Sequence, residues 1–234
     1  KAVSNQTIKE NFIMKKLSLL FAAATGAMIL ALSGCAKNEN YAQKSYCSDG
    51  IEIQSVVIDV SDRQLEISAS EDNNVYLEYF DGEKEYLDVT VSEESVLTVK
   101  CVYDKKWTDF VGVKKFEAKY RSIKIRVPDG ITGAFTAHTT NGDISASAVS
   151  FGDKVNLGAD GGSVVLERLS AGKAINLKAK NGDIRGTVTG GWDDYSISCT
   201  IKKGDCNLPL NKVGGDKAFS ADCNNGDIKI DFVK

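Results

Sequence analysis

The sequence predicts an all-β fold, a β-solenoid of 20–22-residue coils stacked into two facing parallel sheets, with an irregular strand-rich N-terminal half. Three observations predict it. Asn-Gly-Asp-Ile occurs at 141–144, 181–184 and 225–228. With the near-copies "GGSV" and "KGDC", the glycines Gly142, Gly162, Gly182, Gly204 and Gly226 stand 20, 20, 22 and 22 residues apart. On both sides of each glycine, apolar residues alternate with polar ones, which is the period of a strand.

The elements follow in chain order. From Met14 the sequence reads "MKKLSLLFAAATGAMILALSGC". Two lysines, an apolar run from Leu17 to Leu32 and small residues before Cys35 are the parts of a secretory signal. The ending Leu32-Ser33-Gly34-Cys35 resembles the lipobox of bacterial lipoproteins, which implies acylation of Cys35 and an extracytoplasmic, lipid-anchored protein. A transmembrane helix is the alternative, because the run is of borderline length. The stop at a cysteine after small residues favours the lipobox. Residues 1–13 precede Met14 and are read as lying upstream of the start, so 1–35 is leader and signal. Residues 36–50, "AKNENYAQKSYCSDG", read as a polar tether. The removed part carries four lysines and one glutamate, leaving 25 basic and 31 acidic residues, a net charge of −6. That balance argues against nucleic acid as a partner.

Residues 51–130 hold the strand-like runs "SVVIDV", "QLEISA", "NVYLEYF", "YLDVTV" and "SVLTVKCVY" without a clean repeat. They are expected to continue the stack as its N-terminal cap, with a separate small sandwich as the alternative. "SIKIRVPDG" (122–130) then delivers the chain into the first regular coil. Residues 131–234 divide into five units: 131–150, 151–170, 171–190, 191–212 and 213–234. Seven residues before each glycine stand Phe135, Val155, Ile175, Ile197 and Phe219; five before stand Ala137, Leu157, Leu177, Cys199 and Ala221. Two after it stand Ile144, Val164, Ile184, Cys206 and Ile228. Each unit is therefore strand, corner, strand. The corner needs a positive φ that Asn-Gly supplies, and the following aspartate can accept hydrogen bonds from corner amides. A second glycine corner recurs at Gly133, Gly152, Gly172, Gly190-Gly191 and Gly214-Gly215. An antiparallel meander would also place Asn-Gly at turns, but it would not keep equivalent columns apolar across five units.

The run "IKIRVPDG" followed by "TTNGDI", "AKNGDI" and "CNNGDI" resembles the DUF4097 group of adhesin-like proteins over about 51–234. The resemblance implies a β-solenoid on a bacterial surface or envelope protein and carries no catalytic residues. Ser163 in place of aspartate and Lys203 in place of asparagine depart from the pattern without disturbing the corner.

The candidate chemistry is sparse. The corner residues Asn141, Gly142, Asp143, Gly162, Asn181, Gly182, Asp183, Gly204, Asp205, Asn225, Gly226 and Asp227 should line one edge. A carboxylate ladder there could bind Ca²⁺, but calcium-binding rolls use nine-residue repeats and Ser163 interrupts this ladder, so turn chemistry is the expectation and no metal or cofactor is assigned. Beyond Cys35 five cysteines occur without zinc-site spacing. Cys199, Cys206 and Cys223 occupy apolar columns and read as small hydrophobes. An exported location permits disulfides, with Cys206–Cys223 the best candidate and Cys47–Cys101 the next. His138 is the only histidine, and the alternation points it to solvent. Without a second histidine or a serine–acid constellation near it, an enzyme is not expected.

One segment opposes the acidic average. Residues 100–126 carry nine basic and three acidic side chains, and Lys105, Lys106, Trp107, Lys114 and Lys115 interleave cations with aromatics. This could contact an anionic polymer or lipid headgroups, or the lysines could blunt an exposed strand edge. At the other end the chain stops at Lys234 after the fifth unit, which suggests an uncapped edge open to an edge-to-edge homodimer. The sequence thus reads as a non-enzymatic cell-envelope lipoprotein, an adhesin-like or structural binding module. The alternative is an envelope sensing module acting on a membrane or cell-wall partner. A lipid-anchored membrane, a cell-wall polymer, a host surface or a membrane protein are the partners it allows.

Overall fold

The structure is a computed structural model, and it describes residues 41–104 and 117–234. Cys35 and the cluster Lys105, Lys106, Trp107, Lys114 and Lys115 lie outside the described residues.

Alternation builds two sheets. Each central unit contributes one arm to each. The first arms are β8 (Phe135–Thr139), β11 (Lys154–Ala159), β13 (Ala174–Asn181), β15 (Tyr195–Lys203) and β17 (Lys217–Asn225). The second arms are β9 (Ile144–Ser147), the short β10 (Ser150–Phe151), β12 (Val164–Ala171), β14 (Ile184–Thr189) and β18 (Ile228–Val233). Neighbouring arms pair parallel and in register: Phe135 with Val155, Val155 with Ile175, Ile144 with Val164, Val164 with Ile184. The inward columns are buried throughout, and the two sheets face each other across one thin apolar layer. No rung could bury that layer alone, so stacking is what stabilises each coil.

The N-terminal half adds β1 (Ala42–Cys47), β2 (Ser55–Val60), β3 (Gln64–Ala69), β4 (Tyr76–Asp81), β5 (Glu85–Val91), β6 (Val96–Tyr103) and β7 (Ser122–Val127). Here the repeat is present without its glycine. Val56 and Ile58 pair with Phe135 and Ala137, and Leu65 and Ile67 pair with Ile144 and Ala146. Residues 55–69 therefore form a regular coil against 131–150, and β6 with β7 forms another coil outside it. Beyond these, β5 runs antiparallel to β6 and β4 antiparallel to β7, with β1 at the edge. The expected polar tether 36–50 is corrected here, because Ala42–Cys47 pair along β4 and Ser48 is buried. Arg63 occupies the corner where later coils carry glycine. It is buried and pairs with Glu85 at 2.9 Å, joining the corner to β5.

The order of the last two units corrects the sequence expectation. The third unit does not pair with the fourth. Ile175 pairs with Phe219 and Leu177 with Ala221, so the fifth unit lies against the third. The fourth unit lies outside the fifth, with Ile197 against Phe219 and Cys199 against Ala221. The two-residue strand β16 (Asn211–Lys212) then pairs antiparallel with β15. The physical reason lies in the fourth unit's second arm. Pro209 has no N–H to donate, so this arm cannot sit between two neighbours. It makes only an isolated bridge, Cys206 to Ile228, and belongs at an end. The expectation of an uncapped last coil is corrected with it. Strand β17 is internal, and residues 205–207 cover part of the edge of β18. Asn207 does so by side-chain mimicry of a strand: its Nδ2 donates to Ile230 O at 2.9 Å, and its Oδ1 accepts from Ile230 N at 3.0 Å.

Candidate functional site

The repeated Asn-Gly-Asp motif singles out the corner edge. The structure brings the corner residues into one column, ordered Arg63, Gly142, Gly162, Gly182, Gly226, Gly204. A Cβ on Gly142 would overlap Arg63 O, one on Gly162 would overlap Gly142 O, and so on along the column. The carboxylates are occupied by the corners themselves. Asp143 Oδ1 accepts from Ser163 N at 2.7 Å, Asp183 Oδ1 from Asp227 N at 3.0 Å, and Asp227 Oδ1 from Asp205 N at 2.9 Å. Ser163 Oγ takes the same role toward Asp183 N at 3.1 Å, which is why serine substitutes there. Asn225 Nδ2 donates to Asn181 Oδ1 at 2.9 Å, and Asn141 Nδ2 to Asp62 Oδ1 at 2.7 Å. The ladder's acceptors thus point along the stack to the next rung's amides. Among the described residues no group of three His, Cys, Asp or Glu side chains could hold a metal.

The outer face of the sheet containing β8, β11, β13 and β17 carries a different ladder. Thr136, Asn156, Asn176 and Ser220 stand in register. Asn156 Nδ2 donates to Thr136 Oγ1 at 3.0 Å, Asn176 Nδ2 to Asn156 Oδ1 at 2.8 Å, and Ser220 Oγ to Asn176 Oδ1 at 2.8 Å. Beside it runs the column Asp59, His138, Gly158, Lys178 and Asp222. Gly158 leaves a gap between the larger neighbours, and the result is a shallow groove of about 300 Å³ floored by the amide ladder. Its rim is charged. His138 lies 3.0 Å from Asp59 and 3.4 Å from Asp160, Lys180 holds Asp160 at 2.8 Å, and Lys178 approaches Asp222 at 3.5 Å. The Lys180 ammonium keeps the Asp160 carboxyl below the usual carboxylate range, with a smaller contribution from His138. His138 faces solvent as the alternation implies, yet it bridges two carboxylates rather than standing alone. Each Asn carboxamide has four hydrogen-bonding positions, and the ladder bonds account for about half of them at Asn156 and Asn176.

The alternation by itself marks Thr136, Asn156, Asn176 and Ser220 only as outward polar residues. The available signal was that this one column holds amides and hydroxyls at rung after rung. A second hollow of about 490 Å³ lies on the opposite sheet over Glu66, Lys124, Glu78 and Arg126. Its charges are largely spent on one another: Arg126 pairs with Glu78 at 3.3 Å, and Ser122 Oγ donates to Glu66 at 2.7 Å.

The cysteines are placed differently from the expected pair. All five described cysteines are free thiols. Cys206 Sγ lies 2.9 Å from Cys199 Sγ, whereas the Cys223 thiol donates to Gly182 O and Gly226 O, each at 3.3 Å. The expected Cys206–Cys223 partnership is thus replaced by Cys199–Cys206, because the two arms of the fourth unit face each other across its own core. Cys47 and Cys101 lie in different sheets.

A two-sheet parallel stack with glycine corners and one polar laddered face defines the class: a β-solenoid built as a regular surface. The Toastrack DUF4097 family model matches residues 53–189 and again 134–234, and the chain belongs to this family. The two overlapping matches reflect the internal repeat. The solved structure of a Clostridium sporogenes protein proposed to act in cell adhesion is similar in fold, with TM-score 0.60 and 14% identity over 84% of this chain and 100% of that one. A Bacteroides fragilis protein proposed to be an adhesin aligns with TM-score 0.32 and 14% identity, over 85% of this chain and 100% of that one. No curated protein matches the sequence.

Proposed function

We propose that this chain is a non-enzymatic, adhesin-like binding module, held outside the cytoplasmic membrane by acylation of Cys35, with residues 36–41 connecting the lipid to β1. It engages a polyhydroxylated polymer, of the cell wall or of a host surface, through the laddered face. The observation that carries this reading is the groove over Thr136, Asn156, Asn176 and Ser220. A row of two amides flanked by two hydroxyls at strand spacing, about 4.8 Å, suits a linear chain of hydroxyl groups, and the charged rim supplies further donors and acceptors. The signal ending in Leu32-Ser33-Gly34-Cys35 supports the location. The role in cell adhesion proposed for the Clostridium sporogenes protein of similar fold supports the binding class.

The test is binding of the protein to purified cell-wall polymers and host-matrix glycans, with a groove-filling variant beside the wild type. Gly158→Phe serves because a Cβ at 158 would meet only His138 Cδ2, at 3.3 Å, and that side chain can move. Binding should persist in moderate salt and weaken at least tenfold in Gly158→Phe. Reversal of Lys105, Lys106, Lys114 and Lys115 to glutamate should leave it unchanged. Loss in the charge reversal with retention in Gly158→Phe would move the contact to segment 105–116 and favour the sensing role at an anionic surface.

A further inference from the structure

We propose that Cys199 and Cys206 are a disulfide site that staples the C-terminal cap of the stack. Three observations point there. The two sulfurs are 2.9 Å apart, already inside ordinary non-bonded sulfur contact, and a disulfide at about 2.0 Å requires about 0.9 Å of further approach. They lie on the two arms of the one unit that is stacked at the end, and that unit's return leg is weakly held. Strand β16 is two residues long, and Cys206 itself makes a single bridge to Ile228. The third observation is that the alternatives are engaged elsewhere. The Cys223 thiol is buried and donates to two corner carbonyls, and Cys101 accepts from Ser61 N at 3.4 Å on the far side of the stack.

The two thiols differ in a way that orders the reaction. Cys199 is buried, and burial together with the Cys206 thiol pushes its pKa up. Cys206 is half-buried and accessible from the end of the stack. Cys206 therefore reacts first: its thiolate attacks a disulfide-bonded carrier, a protein disulfide or glutathione disulfide, and expels one carrier thiolate, which takes up a proton. Cys199 then gives up its proton and its sulfur attacks the Cys206 sulfur, expelling the second carrier thiol. Two protein thiols are oxidised and one carrier disulfide is reduced to two thiols. In a cell this step rests on the proposed extracytoplasmic location, where such carriers maintain disulfides. In the test tube it does not, so the site and the location fail separately.

The experiment uses the purified full chain treated with glutathione disulfide, then digested with trypsin without reduction. Cleavage at Lys202 and Lys203 separates the two cysteines, so the bond must appear as residues 186–202 linked to 204–212. The expected result is this linked pair, the loss of two alkylatable thiols, and a Tm about 5 °C higher than that of the dithiothreitol-treated protein. Cys206→Ser should abolish both the link and the shift, while Cys223→Ser should keep them. A linked peptide joining Cys206 to Cys223, thiols that stay alkylatable in the folded protein after oxidation, or a link with no change in Tm would each overturn the proposal.

Discussion

At a corner, the atom that matters is the Cβ that glycine lacks. The sequence argues for positive φ, and Gly142, Gly182, Gly204 and Gly226 have it. Gly162 is not among the positive-φ glycines, yet a Cβ there would overlap Gly142 O as severely as at the other corners. Close approach of successive backbones is therefore the shared cause, and φ is an added one. Gly162→Ala isolates the steric term and should lower stability by about 2–4 kcal/mol. Asp183→Ala removes one acceptor of a partly exposed amide and should cost about 1 kcal/mol. Urea midpoints of the two variants check the ranking, and a neutral Gly162→Ala would show that the rungs can slide apart. The position of every glycine corner in the five units was legible from spacing alone. The direction of the aspartate bonds, from rung to rung, was not, because a turn's own amides and a neighbour's amides call for the same residue.

At the scale of the unit, the columns are what the sequence specifies and the neighbours are what it leaves open. Every unit presents Phe, Val or Ile at one position and Ala, Leu or Cys at the next, so third-on-fourth and third-on-fifth stacking bury equivalent side chains. Local defects break this degeneracy: Pro209 and the truncated arm around it send the fourth unit to the end. That signal was present in the sequence but carries no periodicity. The same logic hid the coil at 55–69, whose columns match while Asp62-Arg63 replaces the glycine corner. The amide ladder was legible residue by residue as an outward column, but its groove depends on Gly158 lying beside His138 and Lys178, which needs the register. The stacking order can be checked by engineered cross-links on the outer face. Ser198→Cys with Ser220→Cys, and Asn176→Cys with Ser220→Cys, should each cross-link on oxidation, since these pairs are in register. Asn176→Cys with Ser198→Cys should not, because Ser220 lies between them. Efficient bonding of that last pair would restore the chain-order stack.

Over the whole molecule, the regular rungs are held on both sides and the ends carry the special arrangements. The N-terminal end is closed by antiparallel β4 and β5 and by the buried Arg63–Glu85 pair, the C-terminal end by β16 and Asn207. The most strongly displaced titrations sit at these ends too. Burial, helped by the Asp81 charge, pushes Tyr79 in β4 up to about 12, and burial pushes Cys199 in β15 up. Both groups are neutral when protonated, and both ionise earlier in the unfolded chain, near pH 10 for tyrosine and near 9 for cysteine. Alkali therefore removes protons from the unfolded state first and favours it. The contribution of these groups is complete below pH 9 and declines as the pH rises, with Tyr79 alone accounting for about 2 kcal/mol by pH 12. The stack should consequently lose stability between pH 9 and 12 from its two ends, with the Tyr79 share of the tyrosinate absorbance rising together with the loss of β-sheet circular dichroism. Oxidation of Cys199 and Cys206 removes the Cys199 titration, while Cys101 and Cys223, also pushed up by burial, keep theirs. The oxidised protein should then decline less steeply above pH 9 than the reduced protein, a difference that vanishes if Cys199 remains a free thiol in both.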